Sequence, residues 1–223
     1  MRQLNGFDAI ATRVAKLIIG NTRIDRVSSL DLSLPVYQVS RAKSKRKVYA
    51  SIPAALSLLL PNLRELNLSN THITPKALID FSKRCPLLEK VTWHRNTSNV
   101  HLTGQDLDTA YNLKELYMDD SEFYLEGNQV FVDGVLKIEN PSFYHMFILI
   151  SCGENLERVS IRNAKYHTFM NPAGVDIPQT ALAKFVVHNP SLRWFRSNLS
   201  QDTMAIVRKA LLKAGRPEVE LVN

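Results

Sequence analysis

Two cysteines in 223 residues, Cys85 and Cys152, are too few to staple a secreted domain, which points to a reducing compartment. No run of about 18 apolar residues occurs, so no membrane span is expected. The apolar stretches "AKLIIG" and "AALSLLLP" are short and flanked by polar residues. The opening "MRQLNGFDAI" lacks the cationic start and long apolar segment of a secretory signal. CxxC, HExxH, GxxxxGK[ST] and GxSxG are all absent, which removes the common metal, nucleotide and hydrolase signatures. The histidines (72, 94, 101, 145, 167 and 188) are scattered through turns and helix ends. Of these, His94 beside Asp119 is the one plausible pair, and a surface hydrogen bond suits it better than a dyad or a metal. No catalytic residue, cofactor or metal is expected.

What is present is a chain 45% hydrophobic and 22% charged, enough for a real core. Its net charge of +7 is a hint of an acidic partner. The segment "LPNLRELNLSNTHIT" has leucines at 63, 66 and 68, a spacing that is neither helical nor a steady alternation. The same apolar-x-x-apolar-x-apolar pattern returns at Leu88, Val91 and Trp93, at Leu113, Leu116 and Met118, and at Leu156, Val159 and Ile161. Weaker copies lie at Val27, Leu30 and Leu32 and at Leu192, Phe195 and Ser197, with a trace at Val219 and Leu221. First anchors at 27, 63, 88, 113, 156 and 192 are separated by 36, 25, 25, 43 and 36 residues.

On these motifs residues 24–223 resemble the leucine-rich-repeat superfamily, in its ribonuclease-inhibitor-like and F-box-associated form. "CPLLEKV" at 85–91 looks like the start of the cysteine-containing variant, and "NPSLRWF" at 189–195 has the same shape. The resemblance implies an α/β fold: a solenoid, horseshoe or arc, of about six to seven irregular repeats. Its parallel sheet would line the concave face and its helices the convex one. Where the family places asparagine or cysteine after the last anchor, this chain has Thr71, Asn96, Ser121 and Ala164. Turns held less regularly are expected in consequence.

The segments between copies read as helices. "THITPKALIDFSKRC" offers Thr74 as cap, Pro75 at the first position, and Leu78, Ile79 and Phe81 for burial. "DIPQTALAKFVVHNP" repeats the recipe with Pro178, Leu182, Phe185 and Val186, and the helix after Ser200 stops at Gly215. "SIPAALSLLLP" is a further helix before the first full copy. The whole of 1–223 is expected to be one repeat domain. Residues 1–23 would supply an N-terminal capping helix, with Ile10, Val14, Leu17 and Ile18 on one face, and 200–223 a C-terminal repeat. No F-box pattern is visible, and the lack of a polar cap before Val27 would also suit a piece of a longer array. Residues 120–152 form an insertion, either a binding element or a spacer, in which "FYLEGNQVFVDG" reads as a hairpin turning at "EGN". "RAKSKRK" at 41–47 reads first as a solvated loop, with a nuclear-import signal or a nucleic-acid or phospholipid contact as the alternatives. Cys85 and Cys152 are expected to be buried, reduced and too far apart to bridge.

Aligning the copies places three rows of outward side chains on the sheet. They are Ser29, Glu65, Lys90, Glu115, Arg158, Trp194; then Asp31, Asn67, Thr92, Tyr117, Ser160, Arg196; then Ser33, Ser69, His94, Asp119, Arg162, Asn198. Four acids balance four bases, so the face supplies no continuous basic stripe for nucleic acid. Tyr117, Arg158, Arg162, Trp194 and Arg196 gather the aromatic and arginine types that anchor protein interfaces, at an end where unpaired positive charge is expected. Trp194 could instead cap the last strand. The reading is a monomeric protein-interaction scaffold, cytoplasmic or nuclear, whose concave face takes another protein with an acidic segment. The alternatives are the substrate-recognition part of a ubiquitin-ligase-type complex, as the resemblance implies, or a nuclear, nucleic-acid-associated protein using 41–47.

Overall fold

A computed structural model describes residues 23–33, 56–71, 75–95, 97–100, 112–125, 129–132, 135–138, 155–167 and 173–223. The N-terminal helix, the basic run 41–47, Cys152, Thr74 and three of the histidines (72, 101 and 145) lie outside these residues.

Seven short strands, β1 (Ser29–Asp31), β2 (Glu65–Asn67), β3 (Lys90–Thr92), β5 (Glu115–Tyr117), β9 (Arg158–Ser160), β12 (Trp194–Arg196) and β13 (Glu220–Val222), form one sheet in chain order. Every pairing is parallel, and the central partners are Leu30, Leu66, Val91, Leu116, Val159, Phe195 and Leu221. The middle residue of each strand turns inward because its two neighbours must turn outward. Val91, Leu116, Val159 and Phe195 are fully enclosed, and the flanking anchors Leu63, Leu68, Leu88, Trp93, Leu113, Met118 and Leu156 join them in one core. The two outer rows follow the expected order, extended by Glu220 and Val222. Trp194 is therefore not on the last strand and does not cap the sheet.

Three helices bury their apolar stripes in that same core. Helix α1 (Pro75–Arg84) starts at a proline whose missing N–H costs nothing there, and sinks Leu78 and Phe81. Helix α2 (Gln179–His188) buries Leu182, Phe185 and Val186; Pro178 stands at its cap rather than inside it. Helix α3 (Gln201–Lys213) is capped by Ser200 Oγ, which accepts the Thr203 N–H at 3.2 Å. It ends at Gly215, φ +71°, where the Gly215 and Arg216 N–H groups return to the Leu212 and Leu211 carbonyls. The Arg216 guanidinium then donates to the carbonyls of Val186, Val187 and Leu192, tying α3 to the end of α2. Residues 56–59 are also helical and carry Leu56 and Leu59 into the core.

A second sheet was not legible in the pattern. Strands β4 (Thr97–Val100), β6 (Glu122–Leu125) and β10 (Lys165–His167) pair in parallel, and β11 (Val175–Asp176) adds antiparallel to β10. The first three begin at 97, 122 and 165, each seven residues after the strand that precedes it at 90, 115 and 158. Between the two strands of each pair sits a residue with positive φ: Arg95 (51°), Asp120 (56°) and Asn163 (56°), matched by Asn70 (60°) after β2. Four equivalent turns thus share one conformation, and the expected irregularity is corrected. The hairpin is also corrected. Its strands are β7 (Gln129–Val132) and β8 (Val135–Ile138), paired antiparallel, because β6 is already taken by the second sheet.

Candidate functional site

The rows flanking the inward residues look away from the helices, and among the described residues no helix packs against them. Toward its C-terminal end this face carries Tyr117 from β5, Arg158 from β9, and Trp194 and Arg196 from β12. Arg162 lies just beyond β9.

Three of the five residues singled out by sequence, Tyr117, Arg158 and Trp194, come together. The guanidinium carbon of Arg158 lies 4.7 Å from the centre of the Trp194 ring, a cation–π stack. Arg158 Nε donates to the Tyr117 hydroxyl at 3.4 Å, and that hydroxyl donates to Glu115 Oε2 at 2.8 Å. The Tyr117 and Trp194 ring centres are 6.2 Å apart at 53°, and His94 flanks Tyr117 at 6.5 Å and 55°. Burial raises the Tyr117 pKa; the Arg158 bond opposes this, and the bond and charge of Glu115 add to it. The phenol stays protonated and serves as the donor in this chain. The result is an aromatic and guanidinium row running across β3, β5, β9 and β12.

Arg196 behaves differently. Its Nη1 lies 3.4 Å from Asp119 Oδ2, so it is ion-paired rather than free, and the expectation of unpaired charge at this end is corrected for it. The pair reaches diagonally over β9, where Ser160 is small enough to lie beneath it. Ser160 is fully enclosed, and its hydroxyl donates to Asp119 Oδ1. The Arg162 N–H donates to the same oxygen at 2.8 Å. Arg162 thus reaches Asp119 through its backbone, and its Nε is closed off from solvent with no acceptor among the described residues.

Asp119 is the hub that the sequence did not reveal. It also ends a relay in the third row. Ser69 Oγ accepts the His94 N–H at 3.2 Å, His94 Nδ1 accepts the Asp119 N–H at 3.0 Å, and Asp119 accepts that of Arg162. One strand further, Asn198 Oδ1 accepts the Asn163 N–H at 2.9 Å. His94 therefore bonds the backbone of Asp119, not its carboxylate, so no acid–base dyad forms between them. Burial lowers the His94 pKa against the pull of Asp119 and Asp120, with Arg196 and Arg95 reinforcing the shift. A neutral ring with a bare Nδ1 is what the relay needs.

Elsewhere, Thr71 and Ser121 are buried and donate their hydroxyls to the Leu68 and Trp93 carbonyls. Cys85 is buried, with Sγ 3.8 Å from the Ser57 carbonyl, and burial pushes its thiol pKa up to about 11 against the opposing charge of Arg84. Among the described residues no group of three histidine, cysteine or acidic side chains could hold a metal ion, and no helix is long and apolar enough to cross a membrane.

No protein-family model and no curated protein matches the chain. Among solved structures, a distant likeness is the tropomodulin C-terminal domain of Caenorhabditis elegans: 11% identical, covering 94% of this chain and 93% of that one, with a TM-score of 0.42.

Proposed function

We propose that the chain is a leucine-rich-repeat solenoid of six to seven repeats that recognises another protein through the concave face of its sheet. Tyr117, Arg158, Arg162, Trp194 and Arg196 form the centre of the contact. It acts as a monomer, by binding alone, without cofactor or catalytic chemistry. The observation that carries the reading is the Trp194–Arg158–Tyr117–Glu115 chain of contacts on the open face. Two half-buried aromatic rings and a stacked arginine are the composition of an interface anchor, held in place before any partner arrives.

The test is to purify partners on the full chain, identify them by mass spectrometry, and measure affinity for Trp194→Ala and Tyr117→Ala. Lys209→Ala, exposed on α3, is the control. Trp194→Ala should weaken binding about thirtyfold, about 2 kcal/mol, and the control about twofold or less. Loss in the control with both sheet variants unchanged moves the contact to the helical side and defeats the proposal.

A further inference from the structure

Three arginines crowd the C-terminal end of the open face, but they are not equivalent. Arg196 is committed to Asp119 at 3.4 Å. Arg162 is only half-exposed, with its Nε enclosed. Arg158 alone is exposed, with its guanidinium carbon over the Trp194 ring at 4.7 Å and its Nε fixed by Tyr117. That contact uses one edge of the guanidinium. The two terminal nitrogens have no acceptor among the described residues. Glu115, the neighbour of Arg158 across the sheet, instead takes the tyrosine hydroxyl.

Resting on the protein-recognition reading above, we infer that Arg158 is the anion-reading residue of this face. Its open fork would take a single carboxylate, from an aspartate or glutamate of an extended partner segment, as two parallel hydrogen bonds. Trp194 and Tyr117 would take the apolar side chains beside it. A planar fork matches a carboxylate, and a fork already stacked and hydrogen-bonded loses little freedom on binding. The neighbouring charges disfavour a doubly charged group more than a singly charged one. Arg158 lies between Glu115 on one adjoining strand and Trp194 on the other, with Glu220 one strand beyond, roughly 10 Å from Arg158 by strand spacing. Two flanking carboxylates repel a phosphate dianion about twice as strongly as a single carboxylate, which the paired hydrogen bonds of the fork offset.

The experiment selects from a random-peptide display library on the immobilised full chain at physiological salt. Selected peptides are then synthesised with each acidic position as glutamate, glutamine or phosphoserine. Wild type should enrich peptides bearing an acid beside apolar residues. Glutamate to glutamine at one position should weaken binding about tenfold, and phosphoserine should bind no tighter than glutamate. Arg158→Gln should erase the glutamate–glutamine difference and Arg158→Lys restore part of it, while Arg196→Gln keeps it. The lysine variant guards against a folding defect in the glutamine one. Equal binding of glutamate and glutamine peptides, survival of the preference in Arg158→Gln, or its loss in Arg196→Gln with Arg158→Gln unaffected overturns the assignment. In those cases a loss in Trp194→Ala still supports the face as a protein site. Tighter binding of the phosphoserine form assigns the fork to a phosphate and overturns the carboxylate. A library yielding no peptide whose binding depends on Trp194 overturns both readings.

Discussion

Asp119 offers the sharpest test of how the open face is held. Replacing it by alanine strands the fully enclosed Ser160 hydroxyl and the Arg162 N–H, and leaves Arg196 without its ion partner. Each hydrogen bond to a carboxylate is worth about 1.5–3 kcal/mol. The ion pair adds less than about 1 kcal/mol, because the arginine side chain keeps 31% of its exposure and solvent screens it. Allowing for water entering the gap, Asp119→Ala should cost about 3–5 kcal/mol, a large share of the stability of a domain. Asp119→Asn keeps an acceptor at Oδ1 and loses the charge, for about 1–2 kcal/mol. Arg196→Ala leaves both donors satisfied and should cost about 1 kcal/mol or less. Urea titrations of the three variants give the midpoints, with unchanged slopes confirming that the unfolded reference is the same. The order alanine, asparagine, arginine variant is the content of the prediction. If Asp119→Ala costs no more than Arg196→Ala, the carboxylate is not a hub and the reasoning fails.

Cys85 should resist an aqueous maleimide at neutral pH, labelling about a hundredfold more slowly folded than in urea, since its thiol pKa rises from 9.0 to about 11; peptide mass spectrometry reads the site, and rapid native labelling contradicts it. His94 titrates below its ordinary value of 6.5 in the folded chain, so the unfolded state takes up its proton first. Its contribution to stability is complete above pH 6.5 and is lost as pH falls from there toward the lowered folded value. His94→Asn, which keeps an acceptor and cannot titrate, should flatten that part of the stability–pH curve; an unchanged slope argues against it. Gly174→Ala should cost about 1–3 kcal/mol, because φ is +83° and the new Cβ would stand 2.6 Å from His167 Cε1. Gly215→Ala, at φ +71° with open space, should cost about 1 kcal/mol, so equal losses in thermal denaturation would count against the packing argument.

The main sheet was legible because its information lies in apolar spacing: an apolar residue three before a strand centre and, in all but the copy ending at Ser197, another two after it mark the same height. The register of the two outer rows within the strands followed from that alignment alone. The second sheet left no such mark. "TSNV", "EFYL" and "KYH" share no apolar pattern, and an arginine and an aspartate occupy two of the left-handed turns that lead into them. The candidate site was legible as a list of residues on neighbouring strands, but not as a set of partnerships. Row alignment pairs Asp119 with Arg162 side by side. The side chains lean across rows, so Asp119 meets the Arg196 guanidinium two strands away and only the backbone of Arg162. Nor does spacing say that a tyrosine hydroxyl will stand between Glu115 and Arg158.

The relay from Ser69 through His94 and Asp119 to Arg162 has a consequence for how such a chain can drift. At each step the geometry asks only for an acceptor at a fixed height, and a hydroxyl, an imidazole and a carboxylate each supply one. Selection acting on that height would conserve a lone pair and leave the amino acid free to change. Two descendants of one ancestor could then keep every one of these links while agreeing at none of the positions, and their kinship would be written in hydrogen-bond direction and strand order, where residue-by-residue scoring has nothing to count.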